Sequence, residues 1–227
     1  MNKTLLLTLA LLGSSSLHAE LFTDYFKDGI TVKTKANYLK GTRTDTAEGV
    51  KDGLEEVFYN SGELAYIVNN VQGERDAALN WYDREGNHLE IIHFQLGKRH
   101  GVNKLFFANG TLRSEVLYVN DKKEGLKKDY FSTGTLAREV NYIADKKEGL
   151  EKEYYKNGTL FAQSQYQNNY KEGEKVWYDE TGKVSKSETY KMDRPIAVMK
   201  KVQAKQVDAT NELLKGLDFN PNTRKID

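Results

Sequence analysis

Gly149-Leu150-Glu151-Lys152-Glu153-Tyr154-Tyr155-Lys156-Asn157-Gly158-Thr159-Leu160 is the stretch that decides the fold. A short segment ending in two aromatics runs into Asn157-Gly158, a dipeptide that favours tight turns because both residues accept positive φ, and Leu160 opens the next segment. The same arrangement runs from Gly125-Leu126 to Gly134-Thr135-Leu136. Outward from there the glycines recur at an interval of 24: Gly62, Gly86, Gly110, Gly134, Gly158 and Gly182 form one series. Gly53, Gly101, Gly125, Gly149 and Gly173 form a second, with Ala77 in the missing place. Aromatics keep the step as Phe58, Tyr82, Phe106, Tyr130, Tyr154 and Tyr178, and again as Phe94, Tyr118, Tyr142, Tyr166 and Tyr190. A fixed period of this length is the mark of a repeat architecture.

Within one unit, Leu136, Val140 and Tyr142 share a parity while Ala137, Glu139 and Asn141 take the other, the period of two of a half-buried strand. Asp145-Lys146-Lys147-Glu148-Gly149 reads as a second, polar turn. The expected fold is therefore mainly β: an elongated antiparallel meander of about six 24-residue hairpins, with the glycines serving turns. About twelve strands spaced ~4.8 Å apart make a platform of roughly 50 to 60 Å. One face, carrying Leu112, Val116 and Tyr118 with their equivalents, is the more apolar, so it needs a cover or the sheet must fold over on itself.

Lys3, the apolar run Leu5 to Leu12 and the small residue Ala19 make residues 1–19 read as a secretory signal peptide. Residues 20–48 hold no complete repeat and read as an N-terminal cap, and residues 49–194 are the hairpin repeats. Residues 195–227 read as a C-terminal amphipathic helix and tail, since Val198, Val202, Ala209 and Leu213 follow Pro195 at helical spacing and Gly216 can end the helix. The chain has 0 cysteines, which removes disulfides and a lipid-bearing Cys, so the expected location is the periplasm, with secretion as the alternative. Loss of Lys3 with the leader takes the 34 basic residues to balance against 33 acidic ones. A nucleic-acid binder needs a basic excess, so nucleic acid is not an expected partner.

The units resemble the variant MORN repeat of bacterial proteins classed as YwqK-like antitoxins, which carry tandem Gly-Leu-x-x-x-Tyr-Tyr-x-x-Gly-x-Leu units. The resemblance spans about Gly49 to Arg194. Copies at Gly73 and Gly173 depart from the pattern, with Ala77, Ala78, Trp81 and His88 in the first and Glu174, Trp177 and Lys183 in the second. The resemblance implies a protein that neutralises a toxic effector by binding and occluding it. Combined with export, this gives a periplasmic immunity protein facing a lipase or cell-wall hydrolase, with an envelope scaffold or membrane-associated repeat protein as the alternative.

The residues offer little chemistry of their own. His88, His93 and His100 make no metal-spaced pair, and no nucleophile elbow, zinc helix, P-loop or dinucleotide-binding pattern occurs. No catalytic residue, metal or cofactor is expected. Asn109-Gly110-Thr111 and Asn157-Gly158-Thr159 fit a glycosylation acceptor, but fall in register with the hairpin turns. The acidic residues Asp121, Glu124, Asp145 and Glu148 alternate with lysines and read as a mutually neutralised surface. A protein partner is expected, with membrane contact disfavoured by the lack of a basic cluster. Its candidate anchors are aromatic: Tyr59, Phe107, Phe131 and Tyr155 share one position just before the turn, and Trp81 and Trp177 lie on the same parity.

Overall fold

Alternating segments punctuated by glycine become strands throughout. The computed structural model describes residues 19–44 and 49–196. β1 (Ala19–Tyr25) and β2 (Val32–Leu39) form the first hairpin, followed by β3 (Lys51–Phe58) with β4 (Leu64–Val71) and β5 (Glu74–Tyr82) with β6 (His88–Gln95). A short β7 (Lys98–Arg99) precedes β8 (Gly101–Phe106), which pairs with β9 (Leu112–Val119). Then come β10 (Lys122–Tyr130) with β11 (Leu136–Ile143), β12 (Lys146–Tyr154) with β13 (Leu160–Gln167), and β14 (Tyr170–Tyr178) with β15 (Val184–Lys191). β16 (Arg194–Pro195) ends the sheet. All belong to one antiparallel 16-stranded meander in chain order, except that β7 pairs with β6 off the main path.

The mainly β meander matches the expectation, while the ends add to it. The segment read as a cap supplies β1 and β2, so among the described residues a further hairpin precedes the six legible ones. Gly29 lies 24 residues before Gly53, yet its N–H reaches Phe26 O at 2.9 Å inside the β1–β2 turn, the role that Gly62 plays with Tyr59 O at 3.0 Å. Of the expected leader, residues 1–18 lie outside the described residues and Ala19 opens β1; of the expected C-terminal segment, residues 197–227 lie outside them and Pro195 belongs to β16.

The two glycine series do different work. Those of the Gly62 series sit in turns, as expected: Gly134 N–H donates to Phe131 O at 2.9 Å. Those of the second series do not. Gly125 lies within β10 opposite Tyr142, and Gly149 within β12 opposite Tyr166, with φ of +71° and +82°. The register slips beside them, between Glu124 and Lys128 and between Val140 and Tyr142, so each marks a β-bulge and not a turn. The turns themselves are Asn120-Asp121, Ala144-Asp145 and Asn168-Asn169, both residues of each at positive φ (48° to 73°), as type I′ requires. The polar turn expected over Asp145 to Gly149 is thus Ala144-Asp145, and Lys146 to Gly149 already run in β12.

Successive turns are stitched to one another. Asp145 N–H donates to Lys123 O at 3.0 Å while its carboxylate accepts Lys123 N–H at 2.9 Å, and Asp121 treats Arg99 likewise at 3.0 Å and 3.0 Å. Glu124 accepts Ala144 N–H and Glu148 accepts Asn168 N–H, both at 2.9 Å. The acidic residues of the turns therefore satisfy backbone donors that a sharp turn leaves unpaired.

Burial falls on one face. Val68, Leu79, Val116, Tyr118, Val140, Tyr142, Ala162 and Tyr166 are buried there, with the polar Glu55, Asn103, Ser114, Glu151 and Ser164 among them. We call it the Tyr face. Among the described residues extensive contacts run only between hydrogen-bonded neighbours, so there neither a second layer nor closure of the sheet provides the cover anticipated from the sequence. The cover comes from the face's own long side chains, laid across the strands.

Candidate functional site

The Tyr face is organised by the bulges. Each tyrosine stands opposite a bulge glycine, and the cation two residues before that glycine reaches over the ring. Arg99 lies 4.2 Å from the Tyr118 ring, Lys123 5.3 Å from Tyr142, Lys147 4.5 Å from Tyr166 and Lys171 5.4 Å from Tyr190. Each contact is worth about 0.5–1 kcal/mol in a partly exposed place and screens apolar residues beneath from water.

Buried carboxylates tie this lattice together. Glu151 accepts Lys147 Nζ at 2.6 Å and Arg138 Nη1 at 3.4 Å, and burial next to it pushes the Tyr166 phenol well above its ordinary range. Asp129 accepts Lys127 Nζ at 2.6 Å and Arg138 Nη2 at 2.7 Å. Burial alone would raise its carboxyl, but these two cations outweigh it and hold Asp129 below the usual carboxylate range. Between β6 and β10 the face opens into a hollow of about 320 Å³ lined by residues that include Arg99, Asn103, Lys123 and Lys127.

The opposite, Leu face carries a different pattern. Tyr130 Oη donates to Glu115 at 2.8 Å and Tyr154 Oη to Glu139 at 2.8 Å, with Lys152 Nζ 3.3 Å from Glu139. Burial first and the bond to the carboxylate second push both phenols up to about 12. Beside these pairs an aliphatic row stays in solvent: Leu54, Val102, Leu126 and Leu150 are 44%, 40%, 46% and 43% exposed, with Leu117 opposite Val102. The sequence reading missed this row. Its signal was the recurring Gly-Leu dipeptide, since the residue after a bulge glycine faces away from the tyrosines.

The six expected aromatic anchors are not brought together. Tyr59, Phe107, Phe131 and Tyr155 line the turn rim, half-buried. Tyr59 Oη donates to Tyr82 O at 2.7 Å and Tyr155 Oη to Tyr178 O at 2.8 Å, while Arg113 lies 5.9 Å over Phe107. Trp81 and Trp177 are on the Tyr face in β5 and β14, well apart in the sheet. Trp81 packs on Tyr66 at 4.6 Å, and Trp177 lies between Lys175 and Lys186, each 4.9 Å away. His88 and His93 are strand residues of β6. Among the described residues no group of three His, Cys, Asp or Glu is placed to hold a metal, and no helix is long and apolar enough to cross a membrane.

No curated protein matches the chain. Among solved structures, one of a Staphylococcus aureus TarM mutant in complex with Fondaparinux, alpha-GlcNAc-glycerol and UDP aligns at 12% identity and a TM-score of 0.30. That alignment covers 42% of this chain and 19% of that one, a likeness too slight to carry over fold or activity. The model of the family described as MORN repeat variant matches residues 51–69, 99–120, 123–144, 147–168 and 171–192. The unit bearing Ala77 lies between the first two matched ranges. With matched units set end to end along one meander, the chain belongs to the MORN-repeat-variant family.

Proposed function

We propose that this chain is a protein-binding repeat protein that docks a partner along the aliphatic row of its Leu face. The observation that carries the reading is the row itself. In a chain of mean hydropathy −0.71 with 30% charged residues, Leu54, Val102, Leu117, Leu126 and Leu150 remain exposed on one face. Exposed apolar side chains gathered on one face of a polar protein, here Val102, Leu117 and Leu126 on consecutive strands, mark an interaction site. The flanking lysines are neutralised by Glu115 and Glu139, so the complementary surface is apolar at its centre with a polar, near-neutral rim. A lipid surface would instead favour free basic side chains.

The finer role is that of an exported immunity protein, which silences a toxic effector by covering its working surface and needs no catalytic residue of its own. Support comes from the N-terminal leader pattern and from the resemblance of the repeats to antitoxin repeats. The test is capture by the purified chain of products of neighbouring genes, followed by assay of the captured protein's lipase or cell-wall hydrolase activity. The expected result is a stable complex in which that activity is lost, and in which a Leu126→Lys, Leu150→Lys double variant neither binds nor inhibits. Binding to liposomes with no inhibited effector would instead support the envelope-scaffold reading.

A further inference from the structure

We infer that the hollow on the Tyr face between β6 and β10 binds a carboxylate side chain presented by a protein partner, an inference that rests on the protein-binding reading. In β12 the residue four after Lys147 is Glu151, whose carboxylate accepts Lys147 Nζ at 2.6 Å beside the Tyr166 ring. In β3 the equivalent Glu55 pairs with Lys51 and accepts Tyr66 Oη at 3.3 Å and Asn70 Nδ2 at 3.2 Å. Elsewhere the equivalent place holds no glutamate: it is taken by Leu79, Asn103, Lys127 and Lys175. Four residues after Arg99 stands Asn103, and four after Lys123 stands Lys127, so cation and phenol recur there without the carboxylate.

The hollow lies at that place, and its lining includes Arg99, Asn103, Lys123 and Lys127 with the apolar Ile92 and Leu105. Arg99 is engaged by Asp121 at 3.2 Å and Lys127 by Asp129 at 2.6 Å. Lys123 Nζ lies over the Tyr142 ring and, among the described residues, has no carboxylate at ion-pair distance. An acidic side chain entering from outside would meet a lysine beside a phenol, as Glu151 does with Lys147 and Tyr166, with Ser114 in the place that Arg138 takes beside Glu151. Glu90 and Asp129 also line the hollow, which opposes a doubly charged phosphate. A single carboxylate flanked by aliphatic residues meets Lys123 and the apolar wall together.

The test follows amide resonances of the full chain by NMR during titration with acetyl-Leu-Glu-Leu-amide, its Gln counterpart and inorganic phosphate. The expected result is a salt-sensitive shift centred on Arg99, Asn103 and Lys123. It should be about tenfold weaker with the Gln peptide and with a Lys123→Met variant, the scale of one charged hydrogen bond. Leu126→Ala on the other face should leave it unchanged, which separates this site from the aliphatic row. Equal shifts from the Gln peptide, tighter binding of phosphate, or no shift at these residues would overturn the inference. A second measurement needs no ligand. Asn103 accepts His93 N–H at 3.0 Å, and Asn103→Asp keeps that acceptor while adding the charge. Its thermal midpoint should rise at low salt and the peptide should bind more weakly, and a lower midpoint would show that the hollow does not favour a carboxylate.

Discussion

Ala77 faces Phe94 across β5 and β6 at φ +70°, in the place where the hairpins on either side put Gly53 and Gly101. A side chain in the left-handed region costs about 1–2 kcal/mol, and a glycine returns about 0.5–1 kcal/mol of that through its freer unfolded state. Ala77→Gly should therefore stabilise the protein by about 0.5–1 kcal/mol, read as a higher urea midpoint. A lower midpoint would mean that the Ala77 methyl is making contacts that outweigh the strain.

The converse substitutions separate strain from sterics. A Cβ at Gly149 meets nothing within 4 Å, so Gly149→Ala should cost only the backbone strain of about 1 kcal/mol. A Cβ at Gly101 lands 2.8 Å from His93 Cβ, a clash with an atom fixed to the backbone, so Gly101→Ala should be clearly the more damaging. Measured by urea unfolding, the reverse order would contradict the bulge geometry.

These glycines also mark how far the sequence could be read. Their period of 24 made the meander and its hairpins legible, because a turn glycine and a bulge glycine both need positive φ and so both recur. It could not distinguish the two. That Gly125 is a bulge depends on its pairing with Tyr142, a relation between strands that no local pattern records. The type I′ turns escaped for the opposite reason, since Ala144-Asp145 carries no glycine and is held in place by the stitch of Asp145 to Lys123. The aromatic anchors were sought by residue type, but the phenols of Tyr59 and Tyr155 are consumed by backbone acceptors of the next repeat. The hollow lies where Asn103 and Lys127 stand at the place of Glu55 and Glu151, a difference present at the period of 24 that gains meaning only when strand pairing brings Arg99 and Lys123 to one cavity.

Glu151 is the carboxylate on which the lattice of β11 to β13 converges, with side-chain exposure of 5% and cationic partners on two strands. Glu151→Gln removes the charge while Lys147 and Arg138 remain, and should destabilise by about 2–3 kcal/mol, the range for a charged hydrogen bond within a buried pair. In a double-mutant cycle with Lys147→Met the two losses should be strongly non-additive. Additive losses would mean that Glu151 is held by packing alone.

Strongly alkaline pH should weaken the tyrosine–carboxylate bonds of the Leu face. Tyr130 and Tyr154 are pushed up to about 12 from an ordinary 10.0, by burial first and then by donation to Glu115 and Glu139. A neutral phenol is the form that donates, so its stabilisation is complete below pH 10 and is lost as pH rises through about 12. Titration of ¹³C-labelled tyrosines should place both rings above the exposed ones, and Glu115→Gln should lower Tyr130 and leave Tyr154 in place. If Tyr130 does not move, desolvation is the whole cause of its shift.

Leu126 and Leu150 recur one repeat apart on the Leu face, each about half exposed, which makes their contribution to folding small. Replacing both by lysine removes little buried apolar area and should shift stability by less than about 1 kcal/mol. Leu126 lies beside Leu117 and Val102 in the exposed row and Leu150 at its β12 end, where a docking partner would exclude water, and a charge there would have to be desolvated against an apolar surface. Loss of binding should therefore be large, about 2–4 kcal/mol or thirtyfold and more in Kd, because central apolar positions dominate protein interfaces. Lys156→Glu, on an exposed turn away from the row, serves as the charge control and should bind as the wild-type chain does. Calorimetry against the captured partner, with unfolding measured in parallel, decides the matter: a variant that stays folded and still binds at full strength would remove the Leu face from the interface.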